Sequence, residues 1–326
     1  MASPLRIVML GTGDFALPTF LQLCESGEDV VALITQPDRP QGRKQTLVPS
    51  RIKVAAMDRK ITILQPEDLN APEGVEAVRN LAPDLLVTAA YGQILSSEVL
   101  AIPRLGGINL HGSILPSYRG AAPVARAIER GEVETGVTVI LMNPKVDAGG
   151  MLHVARTPID PDETAGELEA RLAVLGAPLV VKAVHELTQG SAVVRPQDRS
   201  RVTRAPKLRK EDGQIDWSKS AITIHNLVRA MQPWPIASSY LHRADPPGAE
   251  PLRVIVHKSQ AHHSETTATP GQVIEASGDR LRVAAGTGTV SLLTVQIPGK
   301  RAMPVSEFLR GHRVDPGDRF GPHSTP

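Results

Sequence analysis

An asparagine and a histidine stand two positions apart in a short apolar segment. Asn109 and His111 alternate with Ile108 and Leu110, so on a β-strand both polar side chains leave the same face. A turn rich in Gly, Pro, Tyr and Arg follows directly, over residues 112–123. An amide donor and an imidazole beside a tight turn are groups that stabilise a developing oxyanion. The pattern therefore indicates a reaction centre for a carbonyl-type carbon.

A carboxylate in a second segment completes the candidate site. Asp147 follows a buried strand predicted over residues 138–142, in the run Asp-Ala-Gly-Gly. From the end of that strand we expect it to reach His111, where a carboxylate keeps an imidazole protonated and oriented. A lone histidine is more often a core residue, but the face shared with Asn109 favours catalysis. Asn109, His111 and Asp147 are therefore the candidate catalytic residues.

Apolar runs that predict buried strands alternate with amphipathic patterns that predict helices over the first 190 residues. This order is typical of an α/β protein with a Rossmann-like, doubly wound parallel sheet. Ligands bind such sheets beyond the carboxyl ends of the strands, which is where Asn109 and His111 fall. The predicted strands are 5–10, 30–35, 84–89, 107–110 and 138–142, and the predicted helices are 17–25, 50–58, 74–81, 121–130 and 164–187.

The pattern changes after Gly190. Residues 191–210 are polar and basic without periodicity, and we interpret them as a linker. A helix over 221–231 and five short strands between 237 and 297 then predict a small, OB-like β-barrel. The predicted domains are a catalytic domain at 1–190, a basic linker at 191–210, a β-barrel domain at 211–315 and a flexible tail at 316–326.

Composition indicates an ordinary globular protein. Of 326 residues, 41% are hydrophobic and 21% are charged, and Cys24 is the single cysteine, which excludes an internal disulfide framework. We expect a cytoplasmic protein without membrane contact, since the sequence contains no leader and no apolar run of spanning length.

Charge is distributed unevenly along the chain. The formal net charge of +2 combines a balance of −5 over residues 1–190 with +7 over residues 191–326. Basic charge gathered in one part of a chain is typical of a protein that binds a polyanion. A solvated basic surface is the alternative interpretation.

The first predicted strand is followed by Gly-Thr-Gly-Asp-Phe-Ala at residues 11–16, which matches the dinucleotide-binding pattern G-x-G-x-x-G/A. That pattern also requires an acid at the end of the second strand, where this chain has Thr35 and Gln36. A tight strand-to-helix turn is therefore the favoured interpretation, and a nicotinamide-dependent reductase is an alternative.

Other loops suit ligands of different kinds. The turn at 113–119 and the segment around Tyr91 offer apolar surface and backbone amides for a flat heteroaromatic ring. The long polar loop at 36–45 carries Arg43 and Lys44, which could contact phosphates. No metal site is predicted, since the histidines of the β-rich region lack acidic companions at ligand spacing.

Several of these segments resemble one family closely. The chain is similar to the methionyl-tRNA formyltransferases of bacteria and organelles, which are formyltetrahydrofolate-dependent, in residues 109–123, Asp147, 35–40, 215–217 and 232–235. The similarity extends from about Arg6 to Val314. It implies transfer of the formyl group of 10-formyltetrahydrofolate to the α-amine of methionyl-initiator tRNA for translation initiation, by a monomer that needs no metal.

The resemblance also gives residues their expected roles. Asn109, His111 and Asp147 would be catalytic, and the second domain with its basic linker would hold the tRNA backbone. The expected folate-binding residues are Ser113, Ile114, Leu115, Pro116 and Tyr91, and the expected tRNA-binding residues are Arg43, Lys44, Lys207 and Arg209.

Two further alternatives remain beside the reductase. The first is a formyltransferase that acts on a small amine, such as an amino sugar or a ribonucleotide. The basic remainder after Gly190 argues against it. The second is an RNA-binding module without catalytic activity, against which the complete Asn/His/Asp set argues.

Overall fold

A seven-stranded sheet forms the centre of the first of two units in this computed structural model, which describes residues 4–41, 46–245 and 250–323. The strands up to residue 190 are β1 Arg6–Gly11, β2 Asp29–Ile34, β3 Pro40–Gln41, β4 Thr46–Leu47, β5 Thr62–Leu64, β6 Leu85–Ala89, β7 Gly107–His111, β8 Glu134–Leu141 and β9 Met151–Pro158. The helices over the same residues are α1 Leu17–Glu25, α2 Arg51–Asp58, α3 Pro72–Asn80, α4 Ser97–Leu100, α5 Pro123–Glu129 and α6 Ala165–Thr188. The strand order in the sheet is β5-β2-β1-β6-β7-β8-β9, and the first five strands of this order are parallel.

The two units are interleaved along the chain. The first comprises Met1–Pro123, Glu134–Pro158 and Glu167–Pro206, and the second comprises Val124–Val133, Ile159–Gly166 and Lys207–Pro326. The domain boundaries expected from the sequence, at 190 and 210, stay a prediction.

Strand β8 runs antiparallel to β7, whereas the sequence analysis places it in the parallel set. Its register pairs Ile108 with Leu141 and His111 with Thr138. The loop at 142–150 must therefore carry Asp147 back toward the carboxyl end of β7.

The middle of the sheet is buried on both faces, as parallel sheets covered by helices are. All five residues of β6 are buried, and so are five of the six in β1. Helix α2 begins where the sequence predicts, because the Ser50 hydroxyl accepts a hydrogen bond from the Lys53 backbone N–H at 3.4 Å.

The second unit contains an antiparallel sheet. Its strands are β10 Ala237–His242, β11 Leu252–His262, β12 Val273–Ser277, β13 Arg280–Ala284, β14 Thr289–Gln296, β15 Ala302–Pro304 and β16 Arg319–Gly321, and the helices of this unit after residue 206 are α7 Ala221–Ala230 and α8 Val305–Gly311. The strand order is β12-β13-β14-β11-β10-β16. A bridge between Gln272 and Arg319 brings the two edges together, so the sheet forms a nearly closed barrel. The predicted C-terminal β-barrel is therefore confirmed.

Residues 316–323 differ from the flexible tail expected at 316–326, of which the last three residues lie outside the described part of the chain. Strand β16 pairs with β10, and Phe320 is 1% exposed with its ring 5.7 Å from that of Trp217. Asp318 is also buried and accepts backbone hydrogen bonds from Ala244 and Asp315. Phe320 is the one buried aromatic side chain in a segment that is otherwise polar and rich in Gly and Pro. A single apolar residue makes no alternating pattern, so the sequence does not indicate a strand here.

We predict that Phe320→Ala destabilises the barrel by about 3–5 kcal/mol, the usual cost of truncating a buried Phe. Urea unfolding followed by tryptophan fluorescence measures the change, since Trp217 lies against this ring. Arg319→Ala, at an exposed position of the same strand, is the control and should unfold close to the wild type. Equal midpoints for the two variants would contradict a structural role of β16.

Candidate active site

Asn109 lies in the middle of β7, the last of the five parallel strands, and strand β6 fixes the orientation of its amide. The Thr88 hydroxyl, opposite Asn109 in register, donates a hydrogen bond to Asn109 Oδ1 at 2.7 Å. Asn109 is half-buried, and in the described part of the chain its Nδ2 has no hydrogen-bond partner. The amide therefore offers its two N–H donors to a ligand.

His111 is 5% exposed and has an oxygen atom close to each ring nitrogen. Its Nε2 lies 2.9 Å from the Tyr118 carbonyl oxygen, and it donates there because a carbonyl only accepts. Its Nδ1 lies 3.5 Å from Asp147 Oδ2. An imidazolium at this position has an acceptor at both nitrogens.

Asp147 is held by the turn that follows β7. The Gly120 backbone N–H donates to Asp147 Oδ2 at 2.9 Å, the same oxygen that faces His111. Its Oδ1 makes no hydrogen bond within residues 4–41, 46–245 and 250–323, and the side chain is 13% exposed. The backbone at Asp147 is left-handed, with φ of 49°, a conformation that surrounding contacts must hold in place.

The turn at 112–119 is braced from within and by β8. The Ser113 hydroxyl donates to the Ser117 carbonyl, and the Thr138 hydroxyl donates to the Ser113 carbonyl, both at 2.7 Å. Ser113 and Leu115 are buried, whereas Ile114 and the cis-bonded Pro116 are partly exposed. Of the four folate-binding candidates in this turn, Ile114 and Pro116 thus offer side-chain surface, while the other two shape the backbone.

Tyr91 is a core residue of the first unit. Its ring is 4% exposed and packs in the cluster that contains Val75 and Val78. Burial, with the nearby negative charge of Asp68, raises the pKa of Tyr91 to about 12. Its hydroxyl finds no hydrogen-bond partner among the described residues. A ligand at this loop would therefore meet backbone groups rather than the phenol.

A segment that the sequence analysis interprets as linker forms part of the site. Residues 195–205, named the strap, belong to the first unit and pair with it at both ends. Arg195 bridges Met151 through hydrogen bonds of 2.7 and 2.9 Å, and Ala205 N donates to the Arg119 carbonyl at 2.7 Å. A Cβ on Gly120 would lie 2.4 Å from the Ala205 carbonyl oxygen, which shows how closely the strap approaches the turn.

The strap also supplies the site residues that the sequence analysis misses. The Thr203 hydroxyl accepts from the Tyr118 backbone N–H at 2.8 Å, and Gln197 contacts both Arg119 and the loop of Asp147. These side chains lie in a polar run without periodicity, so no signal in the single sequence marks them.

The candidate tRNA-binding residues fall in two places. Arg43 and Lys44 lie outside the described residues. At the base of their loop, a hydrogen bond from Lys53 lowers the pKa of Asp38 below its ordinary value, so this carboxylate stays charged. Lys207 and Arg209 are exposed on the second unit.

The turn at 11–16 joins β1 to α1 and is bound to neighbouring strand ends. The Thr12 hydroxyl accepts from the Gln36 backbone N–H at 3.1 Å and lies 3.2 Å from the Thr35 hydroxyl. These contacts favour the interpretation as a tight connection. Within the described ranges, no group of His, Cys, Asp and Glu is arranged to hold a metal ion, and no helix is long and apolar enough to span a bilayer.

Two family models match most of the chain. Residues 5–184 match the formyl transferase model, and residues 207–313 match the model of the formyl transferase C-terminal domain. The chain belongs to the formyl transferase family. The family predicted from the sequence motifs is thus confirmed, and the three polar residues at the end of the sheet lie in its N-terminal domain.

Similar family members match over almost their full length. A methionyl-tRNA formyltransferase of Geotalea uraniireducens (strain Rf4) is 44% identical over 317 residues, which cover 97% of this chain and 98% of that protein. A methionyl-tRNA formyltransferase of Pseudomonas fluorescens (strain SBW25) is 45% identical over 313 residues, which cover 96% of each.

Solved structures share the fold at lower identity. HypX from Aquifex aeolicus in complex with tetrahydrofolic acid has a TM-score of 0.63 and 18% identity, over 97% of this chain and 51% of that chain. WlaRD, a sugar 3N-formyl transferase, has a TM-score of 0.65 and 18% identity, over 92% of this chain and 100% of its own.

We predict that Thr88→Val lowers the turnover of formyl transfer roughly 10-fold, because a slightly misplaced donor costs catalysis more than binding. Valine fills the buried site but leaves the Asn109 amide free to rotate. Thr88→Ser keeps the hydroxyl and is the matched control. Steady-state kinetics of the two variants test this orientation, and equal turnover numbers would contradict it.

Proposed function

We propose that this family member is a methionyl-tRNA formyltransferase, which moves the formyl group of 10-formyltetrahydrofolate to the α-amine of methionine on the initiator tRNA. The open N–H donors of Asn109 beside the His111–Asp147 pair carry the proposal for formyl transfer. Relatives of that name, which match 96% or more of this chain at 44–45% identity, support methionyl-tRNA as the acceptor.

The residues present fit a formyl-folate donor. Asn109 Nδ2 can donate to a formyl oxygen, and the partly exposed faces of Ile114 and Pro116 suit a flat ring. When bound, the donor supplies an activated formyl carbon. In the transfer, a bond forms between this carbon and the amine nitrogen, and the bond from the carbon to the folate nitrogen breaks. The amine loses one proton and the folate nitrogen gains one.

Asn109 stabilises the charge that develops on the formyl oxygen as the amine attacks. The Thr88 hydroxyl occupies the amide oxygen, so the amide meets the substrate with Nδ2. A donor fixed in advance stabilises the transition state without reorganisation.

His111 acts beside Asn109 as a positive charge. Its Nε2–H is bound to the Tyr118 carbonyl and its Nδ1 faces Asp147, so the ring is held from both sides. In a site shielded from water, a fixed positive charge close to a developing oxyanion contributes more than it would in solvent.

The proposed role of Asp147 is proton transfer. One oxygen is bound by Gly120 N–H and His111, while Oδ1 makes no hydrogen bond among residues that the structure describes. We assign Oδ1 to accept the proton that the amine loses and to return it, directly or through a water, toward the folate nitrogen.

Formylation of charged methionyl-initiator tRNA by purified protein tests the proposal. His111→Ala and Asp147→Asn should each lower turnover by about 10²–10³-fold, the usual loss for one such group. His185→Ala, an exposed histidine on α6, is the control and should retain wild-type rates. A wild type that leaves methionyl-tRNA unmodified but formylates an amino sugar would contradict the tRNA assignment.

Neutralising the basic contacts should weaken tRNA binding in a salt-dependent manner. We predict that Lys207→Ala with Arg209→Ala reduces the slope of log K against log salt by about 1 for each lost phosphate contact. Lys182→Ala, exposed on α6, should leave the slope unchanged. Filter binding at several salt concentrations measures these slopes, and identical slopes for all proteins would exclude both residues as phosphate contacts.

The proposal includes a monomer that works in the cytoplasm without a metal. Gel filtration coupled to light scattering tests the first point, and formylation in the presence of a chelator tests the last. Arg43 and Lys44 are proposed as further tRNA contacts, and Arg43→Ala should raise the KM for tRNA while leaving the KM for the folate donor unchanged.

A further inference from the structure

Gln197 in the strap makes a complete set of hydrogen bonds with its side-chain amide. Its Oε1 accepts from Arg119 Nε at 3.1 Å and Nη2 at 2.7 Å. Its Nε2 donates to the carbonyl oxygens of Asp147 and Gly149, each at 2.8 Å. An amide has two donor hydrogens and two acceptor positions, and all four are used here.

The carbonyls of Asp147 and Gly149 belong to the loop at 142–150, whose backbone is conformationally restricted. Asp147 has the left-handed φ of 49°, which a non-glycine residue keeps only where surrounding contacts hold it. A Cβ on Gly149 would lie 1.7 Å from the Leu141 carbonyl oxygen, so the loop lies directly against β8 there. The Gln197 amide therefore binds the loop on either side of Ala148 and restrains the backbone that carries the carboxylate.

The other contact of Gln197 lies in the turn that faces the carboxylate. Arg119 stands between Tyr118, whose carbonyl accepts from His111, and Gly120, whose N–H donates to Asp147. One side chain thus connects the backbone on both sides of the His111–Asp147 pair.

We infer that Gln197 is a positioning residue for formyl transfer, which fixes the Asp147 carboxylate relative to His111 and to the turn at Tyr118–Gly120. The inference rests on the proposed function. Gln197 acts through Asp147, and among the described residues its side chain hydrogen-bonds only to Arg119 and to the backbone carbonyls of Asp147 and Gly149.

Gln197→Glu is the discriminating change. Glutamate has the same shape and still accepts from Arg119, but it loses both donations and turns a charged oxygen toward two carbonyls. We expect kcat to fall roughly 10- to 100-fold, as a displacement of about 1 Å does in a catalytic site. The KM values for tRNA and for the folate donor should stay within about 2-fold, because substrate contacts are intact.

A double-mutant cycle separates positioning from a general structural effect. In an Asp147→Asn background the carboxylate is already lost, so Gln197→Glu should change the single-turnover rate by less than about 2-fold. Gln197→Met, which removes the four hydrogen bonds without adding charge, goes through the same cycle if the glutamate variant does not fold. Gln189→Glu, an exposed glutamine at the end of α6, makes the same chemical change and should behave as the wild type.

The outcomes distinguish the inference from the proposed function. An active wild type with unchanged kcat in Gln197→Glu and Gln197→Met, or equal losses in both backgrounds, would overturn the positioning role alone. A wild type that does not formylate methionyl-tRNA would overturn the proposed function and this inference with it.

Discussion

The site depends on one distance, the 3.5 Å between His111 Nδ1 and Asp147 Oδ2. The two residues come from segments that the sheet does not bring together by itself. His111 ends β7, whereas β8 ends opposite the start of β7, at Ile108. The loop at 142–150 closes this gap, and its shape depends on the contact of Gly149 with β8, on Gly120 N–H and on the strap.

Hydrogen bonds with backbone groups hold both side chains of this pair in place. A carbonyl holds one nitrogen of the imidazole, and a peptide N–H holds the carboxylate. Because the peptide groups are fixed by the turn and the strap, the two side chains have few alternative positions. The Asn109 amide is also fixed in advance, because the Thr88 hydroxyl donates to its oxygen and leaves its N–H donors for a substrate. Such preorganisation is the general means by which enzymes stabilise developing charge.

The sequence predicts those parts of the site that follow from local periodicity. Asn109 and His111 share a face because strand side chains alternate, and Asp147 stands in a recognisable motif after a strand. The parallel direction predicted for β8 is wrong, because an apolar run does not encode the direction of a strand within a sheet. Gln197 and Thr203 have no local signal, since their roles arise from contacts with residues about 50 to 85 positions away. Phe320 is missed for the same reason, and Tyr91 proves to be a core residue although its loop suggests a ligand.

The central claim is that Asn109 Nδ2 meets the formyl oxygen while His111 remains between Tyr118 and Asp147. A crystal structure of the protein with a bound formyl-tetrahydrofolate tests this most directly. The account predicts a formyl oxygen about 2.7–3.2 Å from Asn109 Nδ2, with His111 Nε2 still on the Tyr118 carbonyl. A formyl group that points away from Asn109, or a His111 ring that has left Asp147 to bind the ligand, would contradict it.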